Sequence, residues 1–135
     1  MRPSVVAIYV VASLALGLST TSRLSLWDNE EELWSDAVLH APQKPRPWIN
    51  LGRQAALHGK PVVAAGAYRN AVTVAKTRPR DEYFYGTALG EANLIILRAN
   101  AGDKIGALRD LRALRARFPT LASLRELLEQ WERES

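Results

Sequence analysis

His40 and His58 are the only imidazoles in the chain, and cysteine is absent. The two histidines do not stand at HExxH spacing and no thiolate exists to complete a site, so no metal centre is expected. Each histidine falls in the last turn of an expected helix, where an imidazole meets carbonyls left without a helical partner. No glycine loop of the kind that cradles phosphates appears. The side chains whose spacing does suggest chemistry are Arg46, Asn50 and Arg53, four and three residues apart and therefore on one face of a helix. Guanidinium and amide groups together can hold a peptide's backbone and carboxylates through charge-assisted hydrogen bonds. That is recognition chemistry, and no catalytic residue, cofactor or bound metal is expected beside it.

Composition and charge fit this reading. The 135 residues are 47% hydrophobic and 24% charged, enough for one modest packed domain held together by packing alone. The formal net charge is +4. Much of the excess belongs to Arg2 and Arg23, so the rest of the chain gives little reason to expect nucleic acid as a partner. Charge is instead polarised. Asp28, Glu30, Glu31, Glu32 and Asp36 form an acidic stretch; residues 37–80 hold Lys and Arg without any acid; Arg109, Arg112, Arg115 and Arg117 form a third, basic block.

The N-terminal region belongs to another environment. No charged side chain occurs over residues 3–22, and residues 5–18 are apolar except for Ser13. Twenty helical residues rise about 30 Å, the thickness of a bilayer's hydrocarbon core, while the strongly apolar part also suits a signal peptide. Residues 1–22 are therefore read as a retained transmembrane anchor or a cleaved signal, and residues 23–135 as the folded domain. Basic residues stay on the cytoplasmic side. Arg2 precedes the segment and the acidic stretch follows it, which directs the C-terminal domain out of the cytoplasm, into the periplasm in a Gram-negative cell. A cleaved signal would leave that domain secreted or periplasmic.

The elements that must position the basic side chains are all helical. The turn residues predict helices at about 29–40, 46–58, 61–76, 81–100, 103–118 and 120–133. Pro42, Pro45 and Pro47 separate the first from the second, Pro61 opens the third at a position where its missing N–H costs nothing, and Pro119 ends the fifth. Gly102 followed by Asp103 reads as a helix stop and the cap of the next helix. In the last helix Leu121, Leu124, Leu127, Leu128 and Trp131 form one apolar stripe opposite Arg125, Glu126, Glu129 and Glu132, as suits a terminal capping helix. On the fourth, Gly86 and Gly90 permit close helix packing, and Tyr83, Phe84 and Tyr85 are read as interhelical core.

The two central hairpins repeat. Aligning Gly59 with Gly102 also aligns Asn50 with Asn93, Leu51 with Leu94 and Ala64 with Ala107, all 43 positions apart. Each glycine would make a tight turn, and each alanine would sit where two helices cross closely. Trp48, Leu51, Gly52, Gly59, Ala64, Tyr68 and Ala71 resemble the tetratricopeptide repeat. Leu94, Gly102, Ala107, Leu111 and Pro119 are a degenerate second copy, with Glu91 in place of the aromatic residue and Ile95 in place of the small one. Trp34, Ala37, Val38 and Pro42 look like the second helix of a preceding unit. The resemblance implies an all-α fold of antiparallel helical hairpins whose first helices line a concave, peptide-binding side. Asn93 then joins Arg46, Asn50 and Arg53 as a candidate site residue.

The apolar segment, Thr20, Arg23, residues 33–38, Arg46-Pro47 and Asn50-Leu51-Gly52 together also resemble the junction between the last membrane helix and the tetratricopeptide tail of multi-spanning O-mannosyltransferase-like glycosyltransferases. The catalytic membrane part of such enzymes is not in this chain, so that resemblance implies location and ancestry without transferase activity. The expected function is a membrane-tethered scaffold or adaptor holding a protein or peptide partner of acidic character. The alternative is a non-catalytic tail or accessory subunit of a membrane glycosyltransferase from a truncated or split gene. So few repeats leave an end uncovered, which makes a homodimer an additional expectation. Trp27 and Trp34 are expected to be structural.

Overall fold

The computed structural model describes residues 29–134. They form six helices and, among the described residues, no strand: α1 (Glu30–His40), α2 (Pro45–Leu57), α3 (Pro61–Ala75), α4 (Arg80–Asn100), α5 (Lys104–Arg117) and α6 (Ala122–Arg133). The chain divides into two compact parts between Leu33 and Trp34, and only the opening of α1 in the first part is described. The expected anchor or signal over residues 3–22, and Trp27, lie outside the described residues. Among those described, no helix is long and apolar enough to cross a membrane.

Local chemistry sets the boundaries. The Asn29 side chain accepts from the Glu31 N–H at 3.2 Å, three glutamates occupy the positive end of α1, and the His40 imidazole meets the Asp36 carbonyl at 2.9 Å at the other end. Pro45 and Pro47 do not stay in the linker. Both stand in the first turn of α2, where a proline's missing N–H has no helical partner to lose, and both are buried there. The Trp48 indole reaches back and donates to the Pro42 carbonyl at 2.7 Å, pinning the linker to α2. The last helix begins at Ala122 rather than Thr120, and Leu121 precedes it without a side-chain cap.

The turns closing the two central hairpins are built alike. Gly59 and Gly102 have φ of 70° and 103°, the left-handed conformation that ends a helix with least strain in glycine. At the first turn Gly59 N donates to Ala56 O and Lys60 N to Ala55 O; at the second, Gly102 N donates to Ala99 O and Asp103 N to Arg98 O. These are the paired bonds of a Schellman motif, repeated 43 residues on. Asp103 adds a cap to the second turn by accepting from Gly106 N at 2.9 Å.

Each helix from α2 onward packs on the next, and α2 also touches α4. Two glycines fix how. A methyl group at Gly86 would lie 2.5 Å from Pro45 Cβ and 2.6 Å from Ala75 Cβ; one at Gly90 would lie 2.6 Å from Val72 Cγ2 and 3.6 Å from Ile49 Cδ1. Along α4, then, the neighbours on α2 ascend, from Pro45 to Ile49, while those on α3 descend, from Ala75 to Val72. Thus α4 runs parallel to α2 and antiparallel to α3, and only glycine lets it sink into the groove between them. The Phe84 and Phe118 rings meet edge to face at 5.1 Å, and Arg98 pairs with Asp110, so α5 returns antiparallel to α4.

Two apolar clusters flank α4. Ile49, Ala55, Ala64, Tyr68 and Ala71 form one, with Leu89, Leu94 and Leu97 of α4 packed on it. Ala88, Ala92 and Ile95 from α4 join Ala107, Leu111, Leu114, Phe118, Leu124 and Leu128 in the other. Ala64 and Ala107 are both fully buried. The hairpins differ where the sequence does. In the first, the Tyr68 ring lies over Gly52; in the second, Ile95 and Leu111 take the equivalent places, so a glycine and tyrosine pair is exchanged for two aliphatic side chains of intermediate size. Glu91, at the position of Trp48, instead receives the Arg117 guanidinium at 2.6 Å. Tyr83 and Phe84, expected as core, are both half-buried and pack against the second cluster, while Tyr85 faces outward.

Candidate peptide-binding face

Arg46 and Arg53 are exposed on α2, and Asn50 is half-buried between them, so the three share the helix face expected from their spacing. Burial raises the Tyr68 hydroxyl pKa, and the positive charge of Arg53 pulls it partly back. Arg46 lies at the other end of the face. It lines a recess of about 440 Å³ with Lys44 and Pro45 before it and Asp81, Glu82 and Tyr85 of α4 across from it.

Asn93 stands on α4, beside α2 in the same stack. Because Ile49 lies next to Gly90 and the helices are parallel, Asn50 and Asn93 sit within about one helical turn of the same level. The Asn93 amide donates to the Leu89 carbonyl of its own helix at 2.8 Å. Its carbonyl oxygen remains the group with which it would meet a peptide N–H.

The recess itself is of mixed charge. The acid-free composition of residues 37–80 predicts a basic face, but the opening turn of α4 brings Asp81 and Glu82 to it. Arg78 grips Glu82 with two hydrogen bonds of 2.8 and 3.0 Å; that contact holds the Glu82 carboxyl below its usual pKa, with the charge of Lys44 adding to the effect. One carboxylate is thus spoken for, and Asp81 faces Lys44 and Arg46. Guanidinium, ammonium, two carboxylates and an outward tyrosine ring line the recess, so its cations can meet carboxylates and its anions backbone N–H groups.

No family model, curated protein or solved structure matches the chain.

Lys44, Asp81, Glu82 and Tyr85 are not candidates on sequence grounds. Asp81, Glu82 and Tyr85 become neighbours of Arg46 only because α4 lies parallel to α2 and begins several residues ahead of the matched level, so that its first turns overhang the linker. The signal in the sequence is the pair Gly86 and Gly90, which marks the point of close approach without identifying the helix approached. His40 lies at the end of α1, next to the linker, and His58 caps α2. No cluster of three or more metal-ligating side chains occurs among the described residues.

Proposed function

We propose that this chain is a tetratricopeptide-like scaffold, tethered at a membrane by residues 3–22 and facing away from the cytoplasm, that works by binding rather than by catalysis. It holds an acidic or C-terminal segment of a partner protein along α2 and α4, through Arg46, Asn50, Arg53 and Asn93. The observation that carries the reading is the parallel, side-by-side placement of α2 and α4 with α3 packed behind them. A stack of hairpins offers its first helices as a continuous peptide-binding surface only when they are arranged in that way. The recurring Schellman turn supports the same view. Pro45 and Arg80, where α2 and α4 begin, are separated by close to the roughly 34 residues of a tetratricopeptide unit. The turns recur at the longer interval of 43 because α4 has 21 residues and α2 has 13.

A library of acidic and C-terminal peptides, titrated against the full chain in detergent, tests the reading. Arg46→Glu with Arg53→Glu should abolish binding of the selected peptides, and Asn50→Ala should weaken it. Undiminished binding by the doubly substituted chain would remove the face from consideration. The resemblance of residues 33–38 and 46–52 to the tail junction of membrane glycosyltransferases supports a second reading, an accessory or detached tail of such an enzyme. A neighbouring reading frame encoding the membrane domain, and its co-purification with this chain, are the observations that reading requires.

A further inference from the structure

The opening of α4 serves two needs that conflict. Asp81 and Glu82 stand in its first turn, and Pro79 before it provides no side-chain cap, so these carboxylates are what meets the positive end of the helix. The same two carboxylates line the recess beside Lys44 and Arg46, on the face read as holding acidic segments. Two anions against two cations would leave that recess without net attraction for a further carboxylate.

Arg78 removes the conflict. It lies in the turn between α3 and α4, where its N–H donates to the Ala75 carbonyl at 3.0 Å and Pro79 follows with its φ fixed by the ring. From there its Nε and Nη2 reach both oxygens of Glu82, four residues on, at 2.8 and 3.0 Å. The two side chains are only 27% and 35% exposed, whereas Lys44, Arg46 and Asp81 stand in solvent. A planar guanidinium matched to both carboxylate oxygens holds them better than the flexible ammonium of Lys44 can. Lys44 is nevertheless the cation to which Glu82 would turn without Arg78. The Glu82 carboxyl is held below its usual pKa by the bond to Arg78 first, and among the remaining causes the charge of Lys44 already reaches it.

We infer that Arg78 determines the charge selectivity of the peptide face. By engaging both oxygens of Glu82 it keeps that carboxylate from Lys44 and Arg46, and as a third cation against two anions it leaves the recess one positive charge in excess. Arg78 is a positioning residue here, acting through Glu82 without touching the peptide. The inference rests on the proposed peptide face and names what makes that face prefer acidic segments over neutral ones.

Hexaglutamate and hexaglutamine peptides with blocked ends, differing only in side-chain charge, are titrated against the full chain in detergent. Arg78→Gln, Glu82→Gln and the double variant are compared with the parent. Hexaglutamate affinity should follow the net charge of the recess: highest in Glu82→Gln, equal in the parent and the double variant, and lowest in Arg78→Gln, with each step about two- to fivefold and shrinking in high salt. Hexaglutamine should not discriminate among the four. A double variant that binds hexaglutamate no better than Arg78→Gln would mean that Arg78 only holds the turn, and would overturn the inference; far-UV circular dichroism checks that each chain is folded. A second measurement needs no peptide. In the Arg78→Gln chain, adding Lys44→Gln should raise the Glu82 carboxyl pKa, followed by carbon NMR, by more than it does in the parent. Equal shifts in both backgrounds would show that Glu82 does not turn to Lys44, and would overturn the inference whatever binds. Unequal shifts in a chain that binds no hexaglutamate would overturn the peptide face itself, and the selectivity assigned to Arg78 with it.

Discussion

Gly86→Ala is the sharpest test of how α4 is seated. Elsewhere in a helix this change is favourable by about 1 kcal/mol, because alanine loses less backbone freedom on folding. At Gly86 the new methyl would lie 2.5 Å from Pro45 Cβ and 2.6 Å from Ala75 Cβ. Carbon atoms prefer about 3.5 to 4.0 Å, so α4 would have to back away from both neighbours by roughly 1 Å. Neither neighbour can yield by rotating a side chain, since one is a proline ring and the other a β-carbon. Overpacking of this kind costs about 1 to 3 kcal/mol, and two rigid contacts put it near the top of that range. Offsetting the propensity gain leaves a net loss of about 2 kcal/mol, which lowers a urea midpoint by about 1 M at an m-value near 2 kcal/mol/M. The assay is urea unfolding of the full chain in mild detergent, followed by far-UV circular dichroism. Gly66→Ala supplies the control: it lies in α3 with nothing within 4 Å of its added methyl, and it should raise stability by about 0.5 to 1 kcal/mol. Should Gly86→Ala prove as stabilising as Gly66→Ala, α2, α3 and α4 do not converge at that point, and the parallel stack is wrong.

Gly59→Ala and Gly102→Ala should each cost about 1 kcal/mol, read from the same urea curves, because both turns hold a positive φ with open space around them. Near-equal losses are the signature of one turn used twice. Thr87→Val should raise stability by about 1 kcal/mol, since the Thr87 hydroxyl is buried without a hydrogen-bond partner and valine keeps its shape. The Asp103 carboxyl is held below its usual pKa by the Gly106 amide first and by Arg98 next. A depressed carboxylate contributes stability above its unfolded pKa and loses it as pH falls through the folded one. Acid titration of the urea midpoint should therefore fall less steeply below about pH 4 in Asp103→Asn than in the parent chain.

The helical class and most turns were legible because they depend on residues acting locally. Pro61 needs no distant partner to open α3, and Gly59 and Gly102 end their helices through their own backbone freedom. The buried stripe of α6 was equally readable, since Leu124 and Leu128 repeat on one side and the charges on the other. Pro45 falls just outside the expected helix because a proline suits both a linker and a first helical turn, and burial against the stack decides between them. The site was less legible than the fold. The shared face of Arg46, Asn50 and Arg53 follows from spacing within one helix. Its acidic neighbours, Asp81 and Glu82, arrive from a helix whose placement depends on tertiary packing at Gly86 and Gly90. The replacement of Gly52 and Tyr68 by Ile95 and Leu111 could be noticed as a departure from pattern, but the balancing of volume across two helices appears only once they are seen together.

The position of α4 between two apolar clusters bears on how this molecule would come apart. A helix that lends one side to each cluster cannot loosen from either without exposing both, so its amides should be among the last to exchange with deuterium. Cutting the chain within α4 would yield no pair of independently stable halves, because each fragment would lose a wall of its interior. The shared helix ties the two clusters into one cooperative body.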